Sequence, residues 1–187
     1  LYAEKENRTI FPLLAKPVSR AQLLLGKFFG CWIACGLALF VFYLFLGLVA
    51  ASREHSLEVG SYLIAMLLHW GALAVVVGMA LLGSIVFAAP SSNGTICFIV
   101  AFGILILERH LNTVALHASG VLGHIIYGVY FITPRLDWAF DVREFLIFGD
   151  PMPGLPVVAS AMLFYGAYAA VLLLGSWLLF RRRALNA

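Results

Sequence analysis

Residues 40–46 read Phe40-Val41-Phe42-Tyr43-Leu44-Phe45-Leu46, at the centre of a run from Phe28 to Ser52 without one Asp, Glu, Lys or Arg. A second uncharged run extends from Val59 to Leu107. A helix needs about 20 apolar residues to cross the hydrocarbon core of a bilayer, and both runs exceed that. The rest of the 187-residue chain agrees: 63% of its residues are hydrophobic and 11% charged, with a mean hydropathy of +1.01. Soluble domains carry about a quarter charged residues and under half apolar ones. Water could not solvate the surface such a chain would present, and lipid can. The fold class expected is all-α: a polytopic helical membrane protein.

Four crossings can be marked, at about 22–51, 61–89, 95–110 and 155–180. The polar residues 52–56 (Ser-Arg-Glu-His-Ser) separate the first two. Pro90-Ser91-Ser92-Asn93-Gly94 reads as a turn before the third, which closes on Glu108-Arg109-His110. The apolar part of that third span, Thr95 to Leu107, is short, at about 20 Å by helical rise. Leu111, Val114, Ala115, Ala118, Val121, Leu122, Ile125, Ile126 and Val129 then recur at helical spacing, which predicts an amphipathic helix or a broken pair. Gly120 and Gly123 mark its break and Pro134 its end.

Charge supplies the sidedness. Five of the twelve basic residues precede Phe28, and Arg181-Arg182-Arg183 closes the last span. By the positive-inside rule both ends are cytoplasmic, and four crossings require the two ends to share a side. The net charge of +3 is too small to be a nucleic-acid signal. Asn93-Gly94-Thr95 has the form of a glycosylation acceptor, but it falls in a loop placed inside. Cys31, Cys35 and Cys97 lie in apolar runs and form neither a disulfide framework nor a zinc pattern.

The first thirty residues carry the most specific pattern. Glu4-Lys5-Glu6-Asn7-Arg8-Thr9-Ile10 precedes Leu13-Leu14-Ala15-Lys16-Pro17-Val18-Ser19-Arg20, followed by Leu24-Leu25-Gly26-Lys27. Physically this is a charged helix start, a Pro-marked turn and a helix entering the membrane, with Ser19 placed to cap it. The string resembles the cytoplasmic segment between the second and third spans of type-2 ABC exporter permeases, most closely the group associated with multicopper-enzyme maturation. The far end is similar too, through Tyr130, Pro134-Arg135-Leu136 and Phe140-Asp141-Val142, where the resemblance implies an extracytoplasmic hairpin of short helices, over about 111–153, before the last span. Arg135 is a departure, since relatives often carry Asn there.

The resemblance implies that the four spans are the third to sixth of six, and that the chain begins inside a cytoplasmic loop. It implies a coupling segment at 1–20, in which Glu4, Glu6, Arg8, Thr9, Lys16, Pro17, Ser19 and Arg20 meet an ATP-binding subunit, and a transmembrane domain at 21–187. The partners implied are that subunit and a second permease copy or homologue, within the bilayer of a bacterial cytoplasmic (inner) membrane. No phosphate-binding Gly-Lys-Ser/Thr loop occurs in the chain, so ATP and Mg belong to the partner and this chain binds no cofactor. ATP binding then drives a permease pair between inward and outward states by favouring one of them.

Sharper site readings compete with plainer ones. His110, His117 and His124 share a helix face, but seven residues rise about 10 Å, too far for two imidazoles to hold one ion. Cys31 and Cys35 lie one turn apart with no third soft ligand, and buried Cys usually behaves as a small hydrophobe; no metal site is expected. His69, inside the second span, fits either a transport pathway or a bond to another helix. Gly26 and Gly30, continued by Ala34, form a small-residue face that fits helix packing or dimerisation. Tyr130 and Trp138 fit an interfacial aromatic belt. Asp137, Asp141 and Glu144 lie beside Arg135 and Arg143, a pattern for ion pairing before catalysis, so no enzyme activity is expected. The alternative to a permease is a non-transporting membrane anchor or assembly subunit of a larger complex.

Overall fold

The computed structural model describes residues 19–54, 59–87, 89–117, 123–124, 128, 133–136, 146 and 152–182. Its elements are four long helices: α1 (Arg20–Glu54), α2 (Val59–Val86), α3 (Pro90–His117) and α4 (Leu155–Arg182). All the regular structure among the described residues is helical. Three stretches, Arg20–Arg53, Val59–Val86 and Leu155–Arg181, are long and apolar enough to cross a membrane. Ser91–Ile106 in α3 is a shorter apolar helix, spanning about 24 Å by helical rise.

Helix starts follow from local chemistry. Ser19 and Gln22 form a reciprocal cap on α1: the Gln22 backbone N–H donates to Ser19 Oγ at 3.2 Å, and the Ser19 N–H donates to Gln22 Oε1 at 2.8 Å. This satisfies donors that have no partner in the first turn. α4 begins after Gly154, whose carbonyl accepts from Val157 N and Val158 N at 2.9 and 3.2 Å. Pro156 falls in that first turn, where its missing N–H costs nothing.

Two boundaries differ from the sequence reading. Pro90 does not lie in a turn; it is the first residue of α3, and Asn93 N already donates to Ala89 O at 3.1 Å. Proline is favoured at a first helical position because its fixed φ suits the helix. The connection from α2 thus shrinks to residues 87–89. At its other end α3 does not stop at Glu108-Arg109-His110 but runs on to His117. Nothing between Glu108 and His117 breaks a helix, since Glu, Arg and Leu are good helix formers. The hairpin expected over 111–153 lies largely outside the described residues, including its Gly120 break.

α2 is the central helix and packs against the other three. Its small residues set the spacing to α4. A Cβ on Gly71 would lie 2.7 Å from Met162 Sδ and 2.8 Å from Tyr165 Cδ2, and one on Gly78 would lie 3.3 Å from Leu172 Cβ. Ala65, Val75 and Tyr165 are almost wholly enclosed there. Small residues that let backbones approach are the ordinary means of helix association in lipid, where burying apolar surface supplies little drive. Leu136 turns back to join this core, its N–H donating to Pro134 O at 2.9 Å.

The contacts fix the helix directions. Leu24 and Ile85 meet near one end of the α1–α2 pair, and Tyr43 and His69 meet farther along it. Gly71 meets Tyr165 and Gly78 meets Leu172, so α2 and α4 run parallel while α1 runs against both. α3 returns along α2, with Asn93 against Ala80 and Cys97 against Met79. The order is therefore up, down, up, down, and the start of α1 lies at the same end of the bundle as the end of α4.

Candidate functional site

The start of α1 is where the sequence pattern points to function, and its side chains converge on the end of α4. Arg20 Nη1 donates to the Phe180 carbonyl at 3.0 Å and lies 3.5 Å from that of Arg181. The same guanidinium stands 5.5 Å from the centre of the Phe180 ring. Beneath it Leu24, Ile85 and Phe180 form a buried cluster with Leu23, Leu173 and Trp177 around them. Arg181 lies 5.6 Å from the Trp177 ring centre, an amphipathic pairing suited to a membrane boundary. Three helix ends, two of them flanked by basic residues, thus meet at one pole.

Of the residues singled out for coupling, Ser19 and Arg20 are described and stand here side by side. Ser19 caps α1, and Arg20 is turned onto its own chain. Glu4, Glu6, Arg8, Thr9, Lys16 and Pro17 lie outside the described residues. Gly26 and Gly30 have open space where a Cβ would stand, and Gly26, Gly30 and Ala34 are exposed. That small-residue face packs against none of the other described helices.

Away from that pole, α1 and α2 are joined by polar contacts within the membrane. Trp32 Nε1 donates to Trp70 O at 2.9 Å, and Trp70 Nε1 donates back to Trp32 O at 3.1 Å. The two indoles stack with centroids 4.4 Å apart and planes 15° apart. Gly36 makes room, since a Cβ there would lie 2.5 Å from Trp70 Nε1. A helical carbonyl can accept a second bond through its other lone pair, so the exchange needs no break in either helix.

His69 stands next to this exchange. Its Nδ1 lies 2.8 Å from Tyr43 Oη on α1 and 3.1 Å from Ala65 O in its own helix. One ring nitrogen cannot accept from the phenol and donate to the carbonyl at once. The two contacts therefore correspond to two tautomers. The arrangement places His69 in a bond between helices. A cavity of about 170 Å³ opens beyond Tyr43, walled by Phe40, Leu44, Tyr62, Leu63 and Met66 among others. None of the described residues that line it is charged.

At the α2–α3 contact, Asn93 Nδ2 donates to Ala80 O at 3.0 Å, and Cys97 Sγ lies 3.3 Å from Asn93 Oδ1. The amide nitrogen that glycosylation would need is held against α2. Among the described residues no group of three or more His, Cys, Asp or Glu could hold a metal. Cys31, Cys35 and Cys97 are free thiols. His124 is exposed, while the side chains of His110 and His117 lie outside the described residues.

Sequence reasoning missed Tyr43, Trp32, Trp70 and Gly71 as packing determinants. Their partners are 26 or more positions away, so no local spacing marks them. Only the helical register of α1 against α2, or of α2 against α4, brings them together.

The geometry is that of an apolar helical bundle whose basic ends share a pole, with contacts between helices made by small residues and paired aromatics. No curated protein and no solved structure matches the chain. Residues 1–185 match the family described as ABC-2 family transporter protein, with no finer grouping distinguished within it. That match reaches from the polar start through the last helix, so the chain belongs to the ABC-2 transporter family as a multi-pass transmembrane permease subunit.

Proposed function

We propose that this permease works as an exporter subunit, with residues 1–20 as the segment that docks on a separate ATP-binding subunit. The observation that carries the reading is the extent of the family match, which includes that polar stretch as well as the spans. The charge pattern Glu4, Glu6, Arg8, Lys16 and Arg20 suits a water-facing protein surface, and the apolar spans do not. In this reading the partner binds ATP and Mg²⁺, this chain binds no cofactor, and the bilayer is a bacterial inner membrane with the chain's C-terminus in the cytoplasm. Four crossings are proposed, α3 supplying the third, with the transmembrane domain at 21–187. The grouping with multicopper-enzyme-maturation permeases rests on the Lys16-Pro17-Val18-Ser19-Arg20 and Leu25-Gly26-Lys27 strings.

The permease is proposed to act as a pair. α1 leaves Phe29, Ile33, Leu37, Val41 and Leu44 exposed beside the open Gly26–Gly30–Ala34 face. Lipid or a second permease would cover that surface. ATP drives transport by closing the partner's domains, moving the docked segments, and favouring one state of the pair.

Reversing charge at the docking segment tests the reading. Glu4→Lys with Glu6→Lys should reduce copurification of the ATP-binding subunit and the nucleotide hydrolysis of the purified complex, with the amount of permease in the membrane unchanged. Full copurification and hydrolysis in that variant would assign docking to another surface.

A further inference from the structure

We propose that Arg20 is a positioning residue that fastens the end of the docking segment to the terminus of α4, so that movement of residues 1–19 is delivered to the last helix as well as to α1. The proposal rests on the reading of residues 1–20 as the docking segment. It adds a route and a specific residue that carries it.

The contact is built for the purpose at both ends. Phe180 and Arg181 lie in the last turn of α4, the part of a helix whose carbonyls are generally satisfied from outside the helix. Arg20 Nη1 supplies the donor, at 3.0 Å from Phe180 O and 3.5 Å from Arg181 O. A positive charge is favoured at a helix C-terminus by the aligned peptide dipoles. The guanidinium is also flat enough to meet the Phe180 ring at 5.5 Å while it bonds the carbonyls. A lysine ammonium could reach one carbonyl but has no plane to lay against a ring.

No slack separates this contact from the docking segment. Ser19 and Gln22 close a reciprocal cap around Arg20, so the chain enters α1 in a fixed direction at the residue before the guanidinium. The buried cluster of Leu24, Ile85 and Phe180 keeps the same three helix ends together underneath. A displacement at Ser19 therefore reaches α1 through the backbone and α4 through one side chain. α2 packs along α4 through Gly71 and Gly78, which extends the route into the core of the bundle.

The test uses the full chain in nanodiscs with the ATP-binding subunit that copurifies with it. Cys31, Cys35 and Cys97 are replaced by alanine, and an environment-sensitive fluorophore is placed on Leu178→Cys in α4 or, separately, on Leu25→Cys in α1; both positions are exposed. MgATP should change the emission at both sites in the otherwise unaltered chain. Arg20→Gln should lose most of the response at 178 and keep the response at 25. Arg20→Lys, which preserves the charge and hence the insertion, should keep an intermediate response at 178, and it decides the matter alone if the glutamine variant does not accumulate. A full response at 178 in the variants overturns the proposal, as does a parallel loss at 25, which would make Arg20 a docking residue. If the subunit copurifies but 178 is silent in the unaltered chain, the Arg20 route falls and the docking reading stands. If no ATP-binding subunit copurifies, both fall.

Discussion

Ser19 shows how much one residue contributes at the edge of the membrane. Its hydroxyl accepts from Gln22 N while Gln22 Oε1 accepts from Ser19 N. Ser19→Ala should cost about 1 kcal/mol of stability, the usual worth of an N-cap, read as a lower unfolding temperature in detergent. Tyr43→Phe removes the hydroxyl from His69 and should cost about 0.6 kcal/mol and at most about 1.7, the mean and the maximum measured for hydrogen bonds between membrane helices. The two sites differ in how legible they were. Ser19 was readable as a cap because capping is local, a matter of three residues. The partner of His69 was not, because Tyr43 joins it only through the register of two packed helices. Arg20 is an intermediate case. Its charge marked it as belonging at the membrane edge, but its acceptors are 160 positions away.

The helices themselves were visible as apolar runs, since composition decides what lipid will hold. Their ends were less visible, and for a physical reason. Pro90 reads as a turn when followed by Ser91, Ser92, Asn93 and Gly94, yet the same proline suits the first position of a helix. Glu108 begins a polar stretch but does not end the backbone hydrogen bonding, so α3 continues to His117. Small residues carry a similar ambiguity. Gly26 and Gly30 stood out because they recur at a four-residue spacing, but the close approaches between the described helices are at other glycines, Gly36, Gly71 and Gly78 among them. Gly71→Val should destabilise the bundle by about 1–3 kcal/mol through overpacking against Met162 and Tyr165. Gly26→Val should leave its unfolding temperature in detergent nearly unchanged. The comparison of the two unfolding temperatures checks both statements. If Gly26→Val instead lowers the mass of the purified particle to that of one permease, the open face of α1 is where two copies meet. Trp70→Phe keeps the stack and loses one indole donor, and should weaken the α1–α2 pair by about 0.6 kcal/mol and at most about 1.7.

At the scale of the whole molecule, the antiparallel order brings the start of α1 and the end of α4 to one pole, and both carry basic residues. The central helix α2 is the most buried of the three long spans, while α1 and α4 expose Phe29, Ile33, Leu37, Leu163 and Val171 to whatever surrounds the bundle. That surface suits hydrocarbon or a partner's spans, and the family match accounts for the bundle as a permease. The claim that gives the permease a power source concerns the polar start. A photo-crosslinking amino acid placed at Glu6 or Arg8 in cells, followed by irradiation and identification of the adduct, tests it directly. The account predicts a covalent product between this chain and an ATP-binding subunit, lost when Glu4 and Glu6 are replaced by lysine. Adducts with lipid alone, or with a protein that binds no nucleotide, would contradict it.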